Sequence, residues 1–397
     1  MPLRDAARVA CLSHAFLRSW RCYPNLTFNE EGLRPYRGDY RDVVDSVMRN
    51  HSGIGVKILE LQPFFIAYHN LNSWLQVAVK PGIEELTLML CDWIFRKTYK
   101  FPLSLFSDGV RSSIRCLELG FCTFHPTAEL GPLRSLTSLH LSSVRIRGDE
   151  LQGLLSNSLA LETLELDECH RIVCLIIPSK LQRFSRLRIF GCGRLKLIES
   201  KAPNLSTLDI SGQAKLSLGE ALQMKTLSML HSDVICYART ELPSIMPNLD
   251  ALKLSSIDEV VNTPMLPTKF LYLKHLTIYL GSGPSPYDYF SLVSFLEASP
   301  SLETLSLDVS KKPMDNETIF GQSPHLRQMT ENQHCYLKNV KITGCSDSGF
   351  GQCGSFGKSL REARRALRAI RTYIEDKVPT RVKLTVVGPC SRCHKLP

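Results

Sequence analysis

The chain has 397 residues, 44% hydrophobic and 22% charged, with 14 cysteines and a formal net charge of +10. That is ordinary globular composition, sufficient for a large core or for two to three domains. From Ser359 onward ten Lys/Arg stand against three Asp/Glu, so +7 of the +10 sits in the last tenth and the rest is nearly neutral; a uniformly basic nucleic-acid binder is not expected.

No window approaches the roughly 18 apolar residues of a membrane-spanning helix. The cysteines are irregularly spaced, and several sit in apolar surroundings, such as Cys116 in "IRCLEL" and Cys174 in "VCLIIP". The first twenty residues lack a continuous apolar stretch. Free, buried thiols in a reducing compartment are expected, and hence the cytoplasm and/or the nucleus.

The chain opens with "MPLRDAARVACLSHAFLRSWRCYPNLTF". Arg4, Arg8, Arg18 and Arg21 interleave with an apolar set that includes Leu3, Ala7, Leu12, Phe16 and Trp20, which reads as a broken amphipathic helix that needs a packing partner. The Arg-rich, acid-poor start also imitates a mitochondrial presequence. "YPNLTF" then reads as a strand or turn and not as a cleavage region.

A Leu-x-x-Leu-x-Leu pattern recurs from there on. An early copy is "GVKILELQ", followed by "IEELTLMLC", "IRCLELGFC", "LTSLHLSSV", "LETLELDEC", "LRIFGC" and "LSTLDISG". It continues through "MKTLSMLHS", "LDALKLSSI", "LKHLTIYLG", "LETLSLDVS" and "LKNVKITGC", with "RVKLTVVG" as a last strand. The spacing is 22 residues from Leu117 to Leu139, then 25 to Leu164, 23 to Leu187, 21 to Leu208 and 19 to Leu227. Most intervals fall in the range of about 20–29 residues of leucine-rich repeats. One unit cannot bury its leucines alone, whereas stacked units share a continuous core. The expected fold is α/β: a leucine-rich-repeat solenoid with a curved parallel sheet and helical or irregular return segments, preceded by a small, incomplete helical module.

Strand side chains alternate, so the residue between the two leucines points away from the core. That places Glu118, His140, Glu165, Arg188, Asp209 and Lys253 on the concave face, with Phe190, Leu230 and Tyr279 at the next outward positions. The last three are apolar or aromatic where exposure is expected, which suggests binding. Glu118, Glu165, Asp167 and Asp209 form an acidic stretch.

Beyond the repeats, "CSDSGFGQCGSFGKS" carries Gly349, Gly351 and Gly354 and then Gly357-Lys358-Ser359. A Walker loop requires a glycine where Gln352 stands, and the next strand ends without the acidic residue of a dinucleotide fold. The segment reads as a linker, with a nucleotide-binding enzyme as the competing reading. The helix "SLREARRALRAIRTYIEDK" sets Leu360, Ala363, Leu367, Ile370 and Ile374 on one stripe and reads as a cap on the repeat core, with a basic partner-binding face as the alternative. Cys390, Cys393 and His394 supply three of the four ligands a zinc site needs, without a nearby fourth, so no metal or other cofactor is expected. No arrangement of nucleophile, base or paired carboxylates specifies a catalytic site, and none is expected.

With these residues in view, the N-terminal segment resembles the second half of a plant F-box as found in F-box/leucine-rich-repeat proteins. Pro2, Leu3, Arg4, Asp5, Ala6, Ala7, Arg8, Ser13 and Trp20 carry the match. "HSGIGVKILELQ" resembles the family's first repeat, and "EARRALRAIRTYIEDKVPTRVKLTVVGPCSRCH" the end of its FBD-like region. The resemblance implies the substrate receptor of a Skp-cullin-F-box ubiquitin ligase. It would dock on a Skp-type adaptor through Leu3, Ala7, Leu12, Phe16 and Trp20 and hold an unidentified target protein on the repeats, without chemistry of its own. The family's leading "LPEDIL" helix is not seen, and 345–358 departs from its pattern. Weakened adaptor binding is therefore expected, rescued by restoring that helix, and a non-ligase repeat scaffold is the alternative. The expected organisation is a partial F-box at 1–28, repeats at 29–345, a Gly-rich linker at 346–358 and an FBD-like helix and strand at 359–397.

Overall fold

The computed structural model describes residues 3–29, 40–62, 70–90, 98–219, 223–256, 259, 263–281, 292–309, 336–344 and 382–387. The Gly-rich segment, the basic helix after it and the Cys390–Cys393–His394 cluster lie outside the described residues. The chain divides into two compact units, residues 1–205 with 214–220 and residues 206–213 with 221–397.

In the first unit the chain runs α1 (Leu3–Ala10), α2 (His14–Arg21), β1 (Asn25–Phe28), α3 (Tyr40–Asn50), β2 (Ile58–Leu61), α4 (Leu71–Ala78) and β3 (Glu85–Met89). It continues β4 (Tyr99–Lys100), α5 (Asp108–Ser113), β5 (Cys116–Gly120), β6 (Cys122–Thr123), β7 (Ser138–Ser142), α6 (Gly148–Ser156), β8 (Thr163–Asp167), β9 (Cys174–Ile177), β10 (Arg186–Phe190) and β11 (Leu197–Ser200). β12 (Thr207–Ser211) opens the second unit, while β13 (Lys215–Ser217) belongs to the first. The second unit goes on with β14 (Thr226–Leu230), α7 (Val234–Thr240), α8 (Leu242–Ile245), β15 (Ala251–Ser256), β16 (His275–Leu280), α9 (Val293–Ala298), β17 (Thr304–Val309), β18 (Asn339–Gly344) and β19 (Lys383–Val387).

Each unit is built on a parallel ladder in which sequence neighbours pair through a crossover. In the first the order is β1-β2-β3-β5-β7-β8-β10. In the second it is β12-β14-β15-β16-β17-β18-β19. Every expected Leu-x-Leu pair within the described residues is a ladder strand. Alternation explains the burial: Leu117, Leu119, Leu139, Leu141, Leu164 and Leu166 are all fully buried, while Glu118, His140 and Glu165 between them are not. The ladder begins with β1, inside the stretch assigned to the helical module, so Asn25–Phe28 of "YPNLTF" is a strand.

One turn repeats at the strand ends. Phe121, Ser143, Glu168, Gly191 and Gly212 each follow directly on a strand, and each has positive φ. In three successive repeats the N–H of this residue reaches the neighbouring strand: Phe121 donates to the Ser142 carbonyl at 2.9 Å, Ser143 to that of Asp167 at 2.7 Å and Glu168 to that of Phe190 at 2.8 Å. The chain then turns inward, and the following residue is buried as Cys122, Val144, Cys169 or Cys192. The thiols have a polar task there. Cys169 Sγ donates to the Leu141 carbonyl at 3.3 Å and Cys192 Sγ to the Leu166 carbonyl at 3.6 Å, satisfying strand ends that face the core. Cys116 and Cys174, by contrast, are only half-buried.

The return segments hold more strand than the sequence reading anticipates. β9, β11 and β13 form a second parallel sheet in the first unit. Their segments are too short for a helix, and their apolar residues alternate, with Leu175, Ile177 and Ile198 buried. α6 shows how tightly helix and strand meet. A Cβ on Gly148 would stand 2.5 Å from the Cys174 carbonyl oxygen, so only glycine allows this approach. In the second unit the buried Arg239 of α7 donates to the carbonyls of Ser294 (3.1 Å) and Leu266 (2.7 Å) and to Thr268 Oγ1 (3.1 Å), and burial lowers its pKa. Glu259, also buried, accepts from the N–H groups of Ile235 and Cys236 at 3.1 and 2.9 Å, capping the start of α7.

Candidate interaction surfaces

The N-terminal module is held by a small core of Ala6, Ala10 and Trp20, with Ala7, Leu17, Tyr23 and Val47 packed against it. α2 is capped by Ser13, whose hydroxyl accepts from the Phe16 N–H at 3.2 Å. The module is tied to the first repeat through His51. The Gly53 N–H donates to Nδ1 at 2.9 Å, so Nε2 carries the proton and donates to the Tyr23 carbonyl at 2.9 Å. That neutral tautomer agrees with burial lowering the His51 pKa. The apolar set expected to meet an adaptor is thereby divided. Trp20 is buried in the module's own core and Ala7 packs on it, whereas Leu12 is 75% and Phe16 49% exposed. Leu3 begins α1, and its side chain lies outside the described residues.

On the ladder of the first unit, register aligns Thr87, Glu118, His140, Glu165 and Arg188 in one outward row. Gly120, Ser142, Asp167 and Phe190 form the next. His140 is the hub. Its Nδ1 lies 3.0 Å from Glu118 Oε1 and its Nε2 2.8 Å from Asp167 Oδ2. Glu118 also accepts from Thr87 Oγ1 at 3.3 Å, and Arg188 bonds Glu165 at 3.0 Å with Asp167 at 3.9 Å. With an acceptor on each side, the imidazole is held as the cation. The hydrogen bond to Glu118 raises the His140 pKa to about 9 against the opposing effect of burial, with Asp167 adding to the rise. The same bond holds Glu118 below the usual carboxylate range. Asp167 Oδ1 is buried and has no hydrogen-bond partner among the described residues. Beside this charged group Phe190 stands 47% exposed.

In the second unit Asp209 aligns with Ser228 and then Lys253 and Thr277, while Leu230 aligns with Ser255 and Tyr279. Lys253 Nζ sits 5.2 Å from the centre of the Tyr279 ring, a cation–π contact on the outward face. Tyr279 is 39% exposed and Leu230 half-buried. All nine residues expected on the repeat face therefore lie at outward ladder positions. What sequence reading missed is the joining of Glu118, His140, Glu165, Asp167 and Arg188 into one bonded group. The signal was available, because a common offset from each leucine pair fixes which residues become neighbours.

Comparison with known proteins agrees with this architecture. The family model described as "At1g61320/AtMIF1, LRR domain" matches residues 47–349 and 343–391. The chain is 24% identical over 374 residues to the F-box/FBD/LRR-repeat protein At1g13570 of Arabidopsis thaliana, covering 87% of this chain and 81% of the relative. It is 22% identical over 371 residues, with the same coverage, to the putative FBD-associated F-box protein At1g61330. It is also 22% identical over 340 residues to the FBD-associated F-box protein At1g61320, covering 76% of this chain and 70% of the relative, both again from Arabidopsis thaliana. Matched by that model over well over half its length, and laid out as stacked parallel repeats, the chain belongs to the plant family of FBD-associated F-box proteins with leucine-rich repeats.

Proposed function

We propose that the chain is the substrate-recognition subunit of a Skp-cullin-F-box type ubiquitin ligase. In this reading it works in the cytoplasm or nucleus and is an adaptor without bond-making chemistry of its own. The observation that carries the reading is the division of apolar side chains in the N-terminal module. Trp20 closes the module's core, while Leu12, in the turn between α1 and α2, and Phe16, on α2, stay in solvent. Fully burying a Leu- or Phe-sized side chain contributes about 1.5–3 kcal/mol, so two such exposed residues in one small module suit a protein partner. That partner is the Skp-type adaptor.

The target is held on the outward ladder positions. Phe190 beside the His140 group in the first unit, and Tyr279 with Lys253 in the second, provide aromatic anchors among fixed charges. Titration of purified Skp-type adaptor against the full chain tests the reading. Saturable one-to-one binding, weakened at least about tenfold by Leu12→Asp or Phe16→Asp, supports it. Absence of saturable binding up to the highest attainable adaptor concentration would leave a repeat scaffold without a ligase role.

A further inference from the structure

The charged group on β7 and β8 has the makings of more than an ion-pair network. One ligating atom each from His140, Glu165 and Asp167 lies within 4.8 Å of the others, and all three side chains are half-buried. We infer that His140, Glu165 and Asp167 form a binding site for a divalent transition-metal ion of the zinc class. The inference is independent of the ligase reading, since it needs neither the adaptor nor a target.

The donor set is one imidazole nitrogen and two carboxylate oxygens, which suits zinc and its neighbours. The scaffold is rigid, because His140 and Glu165 are register partners on paired strands and Asp167 follows two residues later on the same face. Glu118 supplies the outer support. Its Oε1, 3.0 Å from His140 Nδ1, holds a proton there and leaves Nε2 as the ligating nitrogen. Without an ion, Nε2 shares a proton with Asp167 Oδ2 at 2.8 Å. An ion takes that proton's place and releases it to water. Asp167 Oδ1, without a hydrogen-bond partner among the described residues, is a second carboxylate oxygen with unused capacity. The three carboxylates of Glu118, Glu165 and Asp167 supply negative charge for a doubly charged ion. Three protein ligands leave a tetrahedral ion one open position, which a side chain of a bound protein can fill.

Arg188 opposes the ion. Its guanidinium lies 3.0 Å from Glu165 and 3.9 Å from Asp167, and it is 44% exposed, so it must swing into solvent when metal binds. A simple ion-pair network loses a partner when Arg188 is removed, whereas a metal site loses a competitor. The test is a titration of the full, chelator-treated chain with Co2+, a visible-absorbing stand-in for Zn2+, followed by displacement with Zn2+. The expected result is one equivalent of bound Co2+ with ligand-field bands and without thiolate charge-transfer absorption. His140→Ala and Asp167→Asn abolish it, Arg188→Ala binds roughly threefold to tenfold tighter, and Cys390→Ser with Cys393→Ser changes nothing. Lack of any such bands overturns the inference. So do bands that survive His140→Ala, or an Arg188→Ala chain that folds and binds no tighter.

Discussion

Phe121, Ser143 and Glu168 occupy left-handed backbone that glycine alone adopts without cost, and Gly191 and Gly212 fill the same place in other repeats. The turn is thus imposed by the ladder and not by the residue in it. Gly212 has φ of 110° and open space where a Cβ would stand, so Gly212→Ala isolates the backbone term. It should lower stability by about 1–3 kcal/mol, read as a shift in urea midpoint with unchanged slope. His140 makes a second residue-scale prediction, for the metal-free chain. Its folded pKa of about 9 exceeds the ordinary 6.5, so its contribution is complete below pH 6.5 and is lost as pH rises through about 9. Glu118 is shifted the other way, so its contribution is present above pH 4.5 and fades as pH falls through its lowered value. The difference in unfolding free energy between the natural chain and His140→Gln should therefore be largest between pH 4.5 and 6.5 and shrink by on the order of 2 kcal/mol toward pH 10, after allowance for solvent screening. A difference independent of pH would show that the imidazole is not held as a cation.

At the scale of the element, the ladder strands were the most legible part of the chain. Leucines two apart with a polar residue between them define a strand buried on one side, and recurrence at 19–25 residues defines stacking. Leu164 is fully buried, with Leu139 and Leu187 as its partners on the two flanking strands. Leu164→Ala should cost about 2–5 kcal/mol through lost burial and cavity. Leu164→Asp should unfold neighbouring repeats by burying an unpaired charge, seen as lost circular dichroism and a lower melting temperature. The β9-β11-β13 sheet was not legible, because runs of three or four residues carry too little periodicity to separate strand from irregular return. Nor was the cap on α7, since Glu259 lies more than twenty residues beyond the N–H groups it accepts from. Glu259→Ala leaves two buried or part-buried donors of α7 without that acceptor and should cost about 1–3 kcal/mol, measured by chemical denaturation.

For the molecule as a whole, family and fold followed from the repeat pattern and the terminal motifs, whereas the grouping of functional side chains required register. Glu118, His140, Asp167 and Arg188 are 22, 27 and 21 residues apart along the chain and meet only because parallel strands pair leucine to leucine. The N-terminal surface showed the converse limit: amphipathic spacing put Trp20 with Leu12 and Phe16, but ring stacking on Tyr23 at 6.0 Å and packing on Ala6 and Ala10 turn Trp20 inward. The central claim is that adaptor contact belongs to Leu12, in the turn after α1, and Phe16, on α2, and is separate from the ladder face. Parallel adaptor titrations of the natural chain, of a Leu12→Asp/Phe16→Asp chain and of a Phe190→Ala/Tyr279→Ala chain measure this most directly. The account predicts that the first and third bind alike while the second loses at least about tenfold in affinity. Equal affinity for all three, or a loss confined to the ladder variant, would contradict it.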